Sequence, residues 1–173
     1  ISALEAQALL NQNKPAEAMA IITPLLDDPR TSSAASLIAA VAELRQGHLD
    51  EASERLKVAT AGGNASGQIN LLKAELEAAQ GEYDSAISSL AATMDISAVR
   101  DRARASILRS LVQMAKNGEV EKAEQRVDEL LEQHPNDPIL LIARAETQFL
   151  QGRFEQGMGI LEQVDRLLPQ AAT

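Results

Sequence analysis

The chain has 173 residues, of which 45% are hydrophobic and only 2% aromatic, and 16 basic against 25 acidic residues give it a net charge of −9. This composition favours helices over a β-sandwich or barrel, the acidity argues against nucleic acid as a partner, and the absence of cysteine excludes disulfides and thiolate chemistry. No apolar run approaches the roughly 20 residues that span a bilayer, so we predict an all-α protein and no direct membrane insertion by this chain.

The first predicted unit, residues 1–30, contains the turn motif QNKPAEA at 12–18 between two apolar stretches. Asn13 is the best non-glycine residue for a left-handed turn conformation, so we expect one helix before it and another after it. Pro24 falls inside the second helix, where it removes a backbone donor and clashes with the preceding turn. We therefore predict that this helix kinks or ends early.

The same motif returns four times along the chain, as QGHLDEA (46–52), QGEYDSA (80–86), NGEVEKA (117–123) and QGRFEQG (151–157). Its glycines, Gly47, Gly81, Gly118 and Gly152, are separated by 34, 37 and 34 residues. We therefore predict five helix–turn–helix units, about ten helices in a single domain, near residues 1–30, 31–64, 65–98, 106–139 and 140–173.

The positions around each turn repeat as well. Acidic residues follow the turn, where they favour the positive end of the second helix, and prolines at 29, 135 and 169 are expected to end second helices. A small residue that lets the paired helices approach closely lies five residues after the turn in every unit and seven before it in four: Ala18, Ala52, Ala86, Ala123 and Gly157, then Ala6, Ala40, Ala74 and Ala145. Leu111 is the exception.

This pattern resembles the tetratricopeptide repeat (TPR) family over essentially the whole chain. The resemblance implies a right-handed α-solenoid whose first helices line a concave groove that holds a protein or peptide partner. The large aromatic residue that the family places near the start of each first helix is missing, so we expect tight, Ala-rich packing.

The resemblance also implies which side chains face the partner. An amide always precedes the turn, and a ladder of amides could hydrogen-bond an extended backbone, although glutamine is also a favoured family residue at this helix end. Glu5, Glu43 and Glu77 would repel a chaperone-tail carboxylate, so a neutral or partly basic segment, or a helix, is favoured. The candidates are Glu5, Gln12, Glu43, Gln46, Asn70, Lys73, Glu77, Gln80, Met114, Asn117, Arg144, Gln148 and Gln151.

A basic cluster, Arg100, Arg102, Arg104 and Arg109, lies near the three extra residues at 98–105. Two interpretations remain open. The cluster is either a secondary docking patch for an acidic partner, or a solvated helix whose arginines pair with Asp101 and neighbouring glutamates.

Catalytic and cofactor chemistry finds little support in the sequence. The only histidines, His48 and His134, are 86 residues apart in different units, so we expect no metal site. The Gly-rich junction TAGGNASGQ (60–68) lacks the lysine and hydroxyl residue of a phosphate loop. We therefore predict no cofactor, no catalytic residue and no enzyme.

The predicted function is a non-catalytic protein-interaction scaffold. By family analogy, the Ala- and Gln-rich composition favours a bacterial envelope assembly, such as exopolysaccharide export, a pilus or a secretion machine, and the periplasm or envelope over the cytoplasm. The alternative is a structural spacer or self-association module in a longer chain, because the chain begins at Ile1 rather than Met. The apolar residues of the last helix, Ile160, Leu161, Val164, Leu167 and Leu168, would then form a homo-oligomer contact.

Overall fold

The computed structural model describes residues 2–28, 30–61 and 66–168, and all regular structure in those ranges is helical. A short 3₁₀ helix, Thr23–Leu25, follows the second helix. The ten α-helices are α1 (Ser2–Asn11), α2 (Pro15–Ile22), α3 (Ser32–Gln46), α4 (Leu49–Thr60), α5 (Gly67–Ala79), α6 (Tyr83–Ala91), α7 (Arg100–Lys116), α8 (Val120–Gln133), α9 (Pro138–Leu150) and α10 (Phe154–Leu167).

Each predicted turn residue joins two helices with a left-handed backbone. Asn13 has a φ of 58°, and the four turn glycines have φ between 76° and 95°. At Gly47, the backbone N–H of the glycine donates to the Leu44 carbonyl at 3.1 Å and that of His48 donates to the Glu43 carbonyl at 3.0 Å. These two bonds satisfy carbonyls that the end of α3 leaves open. The helices on either side of the turn pack against each other in four of the predicted pairs, α1–α2, α3–α4, α7–α8 and α9–α10.

The structure forms two compact units, residues 1–81 and residues 82–173, where the sequence suggested one domain. Unit 1 contains α1 to α5. One apolar cluster of unit 1 joins α1, α2 and α3 around Ala6, Leu10, Ala18 and Ile22. Another joins α3, α4 and α5 around Ala40, Ala52, Leu56, Ile69, Leu72 and Leu76.

Unit 2 contains α6 to α10, and its small residues are as deeply buried as those of unit 1. Ala86, Ala123 and Ala145 are fully buried, and Leu111, the exception to the small-residue pattern, is buried too. Because a methyl group or a hydrogen occupies these positions, paired helices can pack closely without large aromatic residues.

The three extra residues of the fourth repeat lengthen its first helix. Counted from the turn glycine, α7 begins one helical turn earlier than α5 and α9 do. Helix α7 therefore begins at Arg100, within the 98–105 stretch that holds the three extra residues.

Pro24 acts as predicted. Helix α2 ends at Ile22, Pro24 lies in the 3₁₀ helix, and the Thr23 hydroxyl donates to the Met19 carbonyl at 2.7 Å. Pro135 follows the end of α8 at Gln133. Pro29, Pro169 and the centre of the 60–68 junction lie outside the described residues.

Candidate protein-binding site

The first helices of unit 1 lie side by side, because α1 contacts α3 and α3 contacts α5. Residues one, four, eight and eleven before each turn share one side of a helix, and this set contains all the predicted partner-facing residues of the unit. We call these eight residues the first-helix face of unit 1: Glu5, Gln12, Glu43, Gln46, Asn70, Lys73, Glu77 and Gln80.

The amides that precede the three turns of unit 1 are exposed. The Gln46 side-chain N–H donates to the Ala42 carbonyl at 3.2 Å, which leaves the Gln46 side-chain oxygen open to a ligand. No hydrogen bond to another described residue engages the side chains of Gln12 and Gln80. Three amides on three neighbouring helices are therefore open to an incoming backbone.

The charged residues of the first-helix face are mostly acidic. Glu5 is exposed and Glu43 is half-buried, with the Glu43 Oε2 atom 2.7 Å from Nδ1 of His48. Lys73 Nζ lies 3.6 Å from Glu77 Oε1, so part of the single lysine charge is neutralised within the face. The face thus contains three carboxylates and one lysine, of which Glu5 and Lys73 are exposed.

An open depression of about 540 Å³ adjoins Glu43 and Gln80. Helix α4 supplies the rest of its lining, and among those residues Lys57 Nζ pairs with Glu54 Oε1 at 2.6 Å. Four of the lining side chains are carboxylates and two are cationic. The α4 residues that line it are Asp50, Glu51, Ser53, Glu54, Arg55, Lys57 and Val58.

These α4 residues were not among those predicted to face a partner. The acidic run that follows Gly47 was interpreted only as a favourable start for a helix. A second acidic position one turn further along α4, Glu54, was the signal that this helix also carries charge away from its N-terminus.

The corresponding residues of unit 2 are engaged within the unit. Met114 and Gln148 are buried, at 1% and 3% exposure, so neither side chain is open to a partner. Asn117 accepts a hydrogen bond from the Gln113 amide at 3.1 Å, and Arg144 Nε lies 3.0 Å from Asp128 Oδ1.

Glu124 of α8 binds the remaining amides of unit 2, those of Gln148 and Gln151. Its carboxylate accepts hydrogen bonds from Gln148 Nε2 at 2.7 Å, from Gln151 Nε2 at 2.8 Å and from Arg153 Nη1 at 3.0 Å. The Gln151 bond, followed by the Gln148 bond and the charges of Arg153 and Arg144, lowers the pKa of Glu124, although burial opposes the shift. The amide ladder of unit 2 therefore holds α8 to α9 and the following turn.

The basic cluster also makes contacts within unit 2. Arg100 donates to the backbone carbonyls of Met94 and Asp95, and Arg109 donates to the Ser106 hydroxyl at 2.7 Å. Arg102 is exposed and also has an interaction within the chain.

Arg104 of this cluster forms ion pairs with two aspartates. Its Nε atom lies 2.6 Å from Oδ2 of the buried Asp137, an ion pair without aligned hydrogen-bond geometry, and its Nη1 atom is 3.9 Å from Asp101 Oδ1. Arg104 is therefore held by Asp137 and Asp101 within unit 2.

Two other kinds of site are absent from the described residues. No helix there has the length and apolarity to cross a membrane, and no group of three or more histidine, aspartate or glutamate side chains there is placed to hold a metal ion.

Comparison with known families decides the classification of the chain. Two models of the tetratricopeptide repeat match it, one over residues 4–66 and 39–98 and the other over residues 114–172. The chain belongs to the tetratricopeptide repeat family. TPR proteins are in general non-catalytic interaction modules, so this TPR chain is a protein-interaction scaffold.

Solved TPR structures share the fold at low sequence identity. MamA (AMB-1) is 15% identical, with a TM-score of 0.65 over 99% of this chain and 92% of its own. PilF of Pseudomonas aeruginosa is 14% identical, with a TM-score of 0.66 over 98% and 76%.

YrrB, described as a TPR protein with an unusual peptide-binding site, is 16% identical, with a TM-score of 0.63 over 98% of this chain and 86% of its own. No curated protein sequence matches the chain. The predicted all-α helical-repeat (α-solenoid) fold class is confirmed.

Proposed function

We propose that unit 1 holds a neutral or partly basic protein segment on its first-helix face and in the adjoining acidic depression. The proposal rests on a contrast between the side-chain amides of the two units. The amides of unit 1 are exposed on three neighbouring first helices, whereas Gln148 and Gln151 of unit 2 are bound to Glu124.

The chemistry of the face suits an extended segment. Each side-chain amide offers donors and an acceptor, so Gln12, Gln46 and Gln80 can pair with successive backbone groups of a ligand. The carboxylates of the face and the depression attract lysine or arginine, and this attraction weakens as salt is added. Peptide binding by a TPR protein of the same fold, YrrB, supports the proposed class of ligand.

A peptide-display selection against the intact chain tests this proposal. We expect the enriched peptides to be neutral or basic, and their affinities, measured by fluorescence anisotropy, to fall with added salt. The variant Gln12→Ala/Gln46→Ala/Gln80→Ala should weaken binding by about tenfold or more, because each lost hydrogen bond is worth roughly 0.5–1.5 kcal/mol.

The matched control is Gln7→Ala/Gln68→Ala/Gln133→Ala, which removes three exposed amides that lie off the first-helix face. It should bind the enriched peptides as the unchanged chain does. Enrichment of acidic peptides, or equal affinity for both triple variants, would reject unit 1 as the binding surface.

The finer assignment to a bacterial envelope assembly is a further part of the proposal, and it is supported by family analogy and composition only. Co-purification from envelope and soluble fractions of the source cell would test it. Recovery of the chain and its partners from the soluble fraction alone would reject the assignment.

A further inference from the structure

Helices α1 and α10 expose the three most accessible large apolar side chains among the described residues. On α1, Leu4 is 78% exposed, and on α10, Phe154 and Met158 are 65% and 54% exposed. Within the described residues no helix precedes α1 or follows α10. In a stacked array, apolar side chains at such positions are ordinarily covered by a neighbouring repeat.

Inside the structure, the equivalent faces of second helices and first helices pack against each other. A second helix packs against the first helix of the next repeat at α2–α3, α4–α5 and α8–α9. At α4–α5, Leu49 and Leu56 of the second helix pack in one cluster with Ile69, Leu72 and Leu76 of the following first helix.

The exposed residue of α1 lies at the first-helix position of this interface. Leu4 is nine residues before the turn residue Asn13, as Leu72 is nine before Gly81. Leu72 is only 5% exposed because α4 covers it, whereas Leu4 has no such neighbour among the described residues.

The exposed face of α10 lies at the second-helix positions of the same interface. Phe154 and Leu161 are two and nine residues after Gly152, as Leu49 and Leu56 are after Gly47. Leu56 is buried beneath α5, whereas Leu161 is half-buried and Phe154 is exposed.

We propose that the occupant of the α10 face is α1 of a second copy of this chain. Leu4 of the incoming copy would pack against Phe154, Met158 and Leu161 as Leu72 packs against its own cluster. The contact joins different surfaces of the two copies, so it is head-to-tail, and each added copy leaves one free α1 and one free α10 face unless a ring closes.

Sedimentation velocity over protein concentrations from about 10 µM to about 1 mM tests the proposal. We expect the weight-average mass to rise above the 18.5 kDa of one chain as the concentration increases. Leu4→Glu and Phe154→Glu/Met158→Glu should each remain monomeric. These side chains are exposed, so circular dichroism should show the same helix content for both variants as for the unchanged chain.

Mixing the two variants distinguishes head-to-tail contact from other modes. Leu4→Glu keeps an intact α10 face and Phe154→Glu/Met158→Glu keeps an intact α1 face, so the mixture should form a one-to-one dimer and nothing larger. The control Ile96→Glu changes an exposed apolar residue between α6 and α7 and should associate as the unchanged chain does.

Three results would overturn the proposal. A chain that is monomeric at every concentration would show that a second copy is not the occupant. Association of Leu4→Glu by itself would indicate an α10–α10 contact instead, and a mixture that stays monomeric would show that the two faces do not bind each other. The proposed peptide site of unit 1 uses neither face, so peptide binding by the Leu4→Glu monomer remains a separate test of that function.

Discussion

At the scale of single residues, the size of the residue five positions after the turn is matched to the side chain that packs against it. In the fifth repeat this position is Gly157, and a Cβ built there would lie 2.3 Å from the Phe149 ring. The Phe149 ring also stacks on Phe154, with centroids 6.3 Å apart. The fifth repeat therefore has Gly157 where the other repeats have alanine, because the Phe149 ring occupies the space of the alanine methyl group.

Gly157→Ala and Gly159→Ala should have different effects although both replace a glycine within α10. Gly159 has open space at its Cβ, so alanine there should stabilise the chain by up to about 1 kcal/mol through helix propensity. Gly157→Ala displaces the Phe149 ring, and we expect it to be less stable than Gly159→Ala by about 1–3 kcal/mol. Urea unfolding measures both, and equal midpoints would contradict the close packing at Gly157.

Glu124 provides a second prediction at this scale, which concerns pH. Its pKa is lowered in the folded chain, chiefly by the Gln151 hydrogen bond. The ionised carboxylate therefore stabilises the fold at neutral pH, and this contribution is lost as pH falls below the ordinary glutamate pKa of about 4.3.

Glu124→Gln should cost about 1–2 kcal/mol at neutral pH, and its difference from the unchanged chain should shrink between about pH 5 and pH 3. Urea unfolding as a function of pH provides the measurement. Glu132→Gln on the same helix is the control, because the structure shows no ion pair or hydrogen bond from Glu132 to another described residue, and it should leave the neutral-pH midpoint unchanged. A Glu124→Gln difference that persists unchanged at pH 3 would contradict the assigned role.

At the scale of helices, the start of α9 depends on a residue from α7. Asp137 caps α9 by accepting hydrogen bonds from the backbone N–H groups of Ile139 and Leu140. Its side chain is 1% exposed, and Arg104 lies beside its other oxygen. One carboxylate thus both caps a helix and neutralises a cation from its neighbour.

Asp137→Ala should destabilise the chain by about 2–4 kcal/mol, because it removes the cap and leaves Arg104 without its close partner. Asp137→Asn should cost less, since an amide oxygen can still cap α9. The control Asp101→Asn changes a carboxylate that is 98% exposed and 3.9 Å from the same arginine, and it should change stability by less than about 0.5 kcal/mol. Thermal melts rank the three variants. An effect of Asp101→Asn as large as that of Asp137→Ala would contradict the stabilising role assigned to Asp137.

The helices also show which features a single sequence could predict. Turn residues, small residues and Pro24 act through their own backbone or their immediate helix partner, so the repeat pattern predicted them correctly. The contacts of Gln148 and Arg104 depend on Glu124 and Asp137, which are 24 and 33 residues away in the chain. Helix packing decides such pairings, and the repeat pattern therefore could not show that the amides of unit 2 are engaged.

At the scale of the whole molecule, the two compact units divide the charge almost evenly. Divided at the structural boundary after Gly81, residues 1–81 carry a net charge of −4 and residues 82–173 carry −5. The units differ instead in how they use their charges, because several ion pairs of unit 2 join different helices, such as Arg126–Asp84 and Arg144–Asp128, whereas those within the first-helix face of unit 1 are local.

The number of helices packed against each helix of unit 1 leads to a prediction about local stability. Helix α1 packs against α2 and α3, whereas α3 also packs against α4 and α5. Segments with fewer packed neighbours open at lower free energy, so in dilute solution the amides of α1 and α2 should exchange with deuterium well before those of α3. Hydrogen-exchange mass spectrometry measures this order. Equal protection of α1 and α3 would contradict it, whereas protection of α1 and α10 that rises with concentration in the unchanged chain and not in Leu4→Glu would place both helices in the contact between copies.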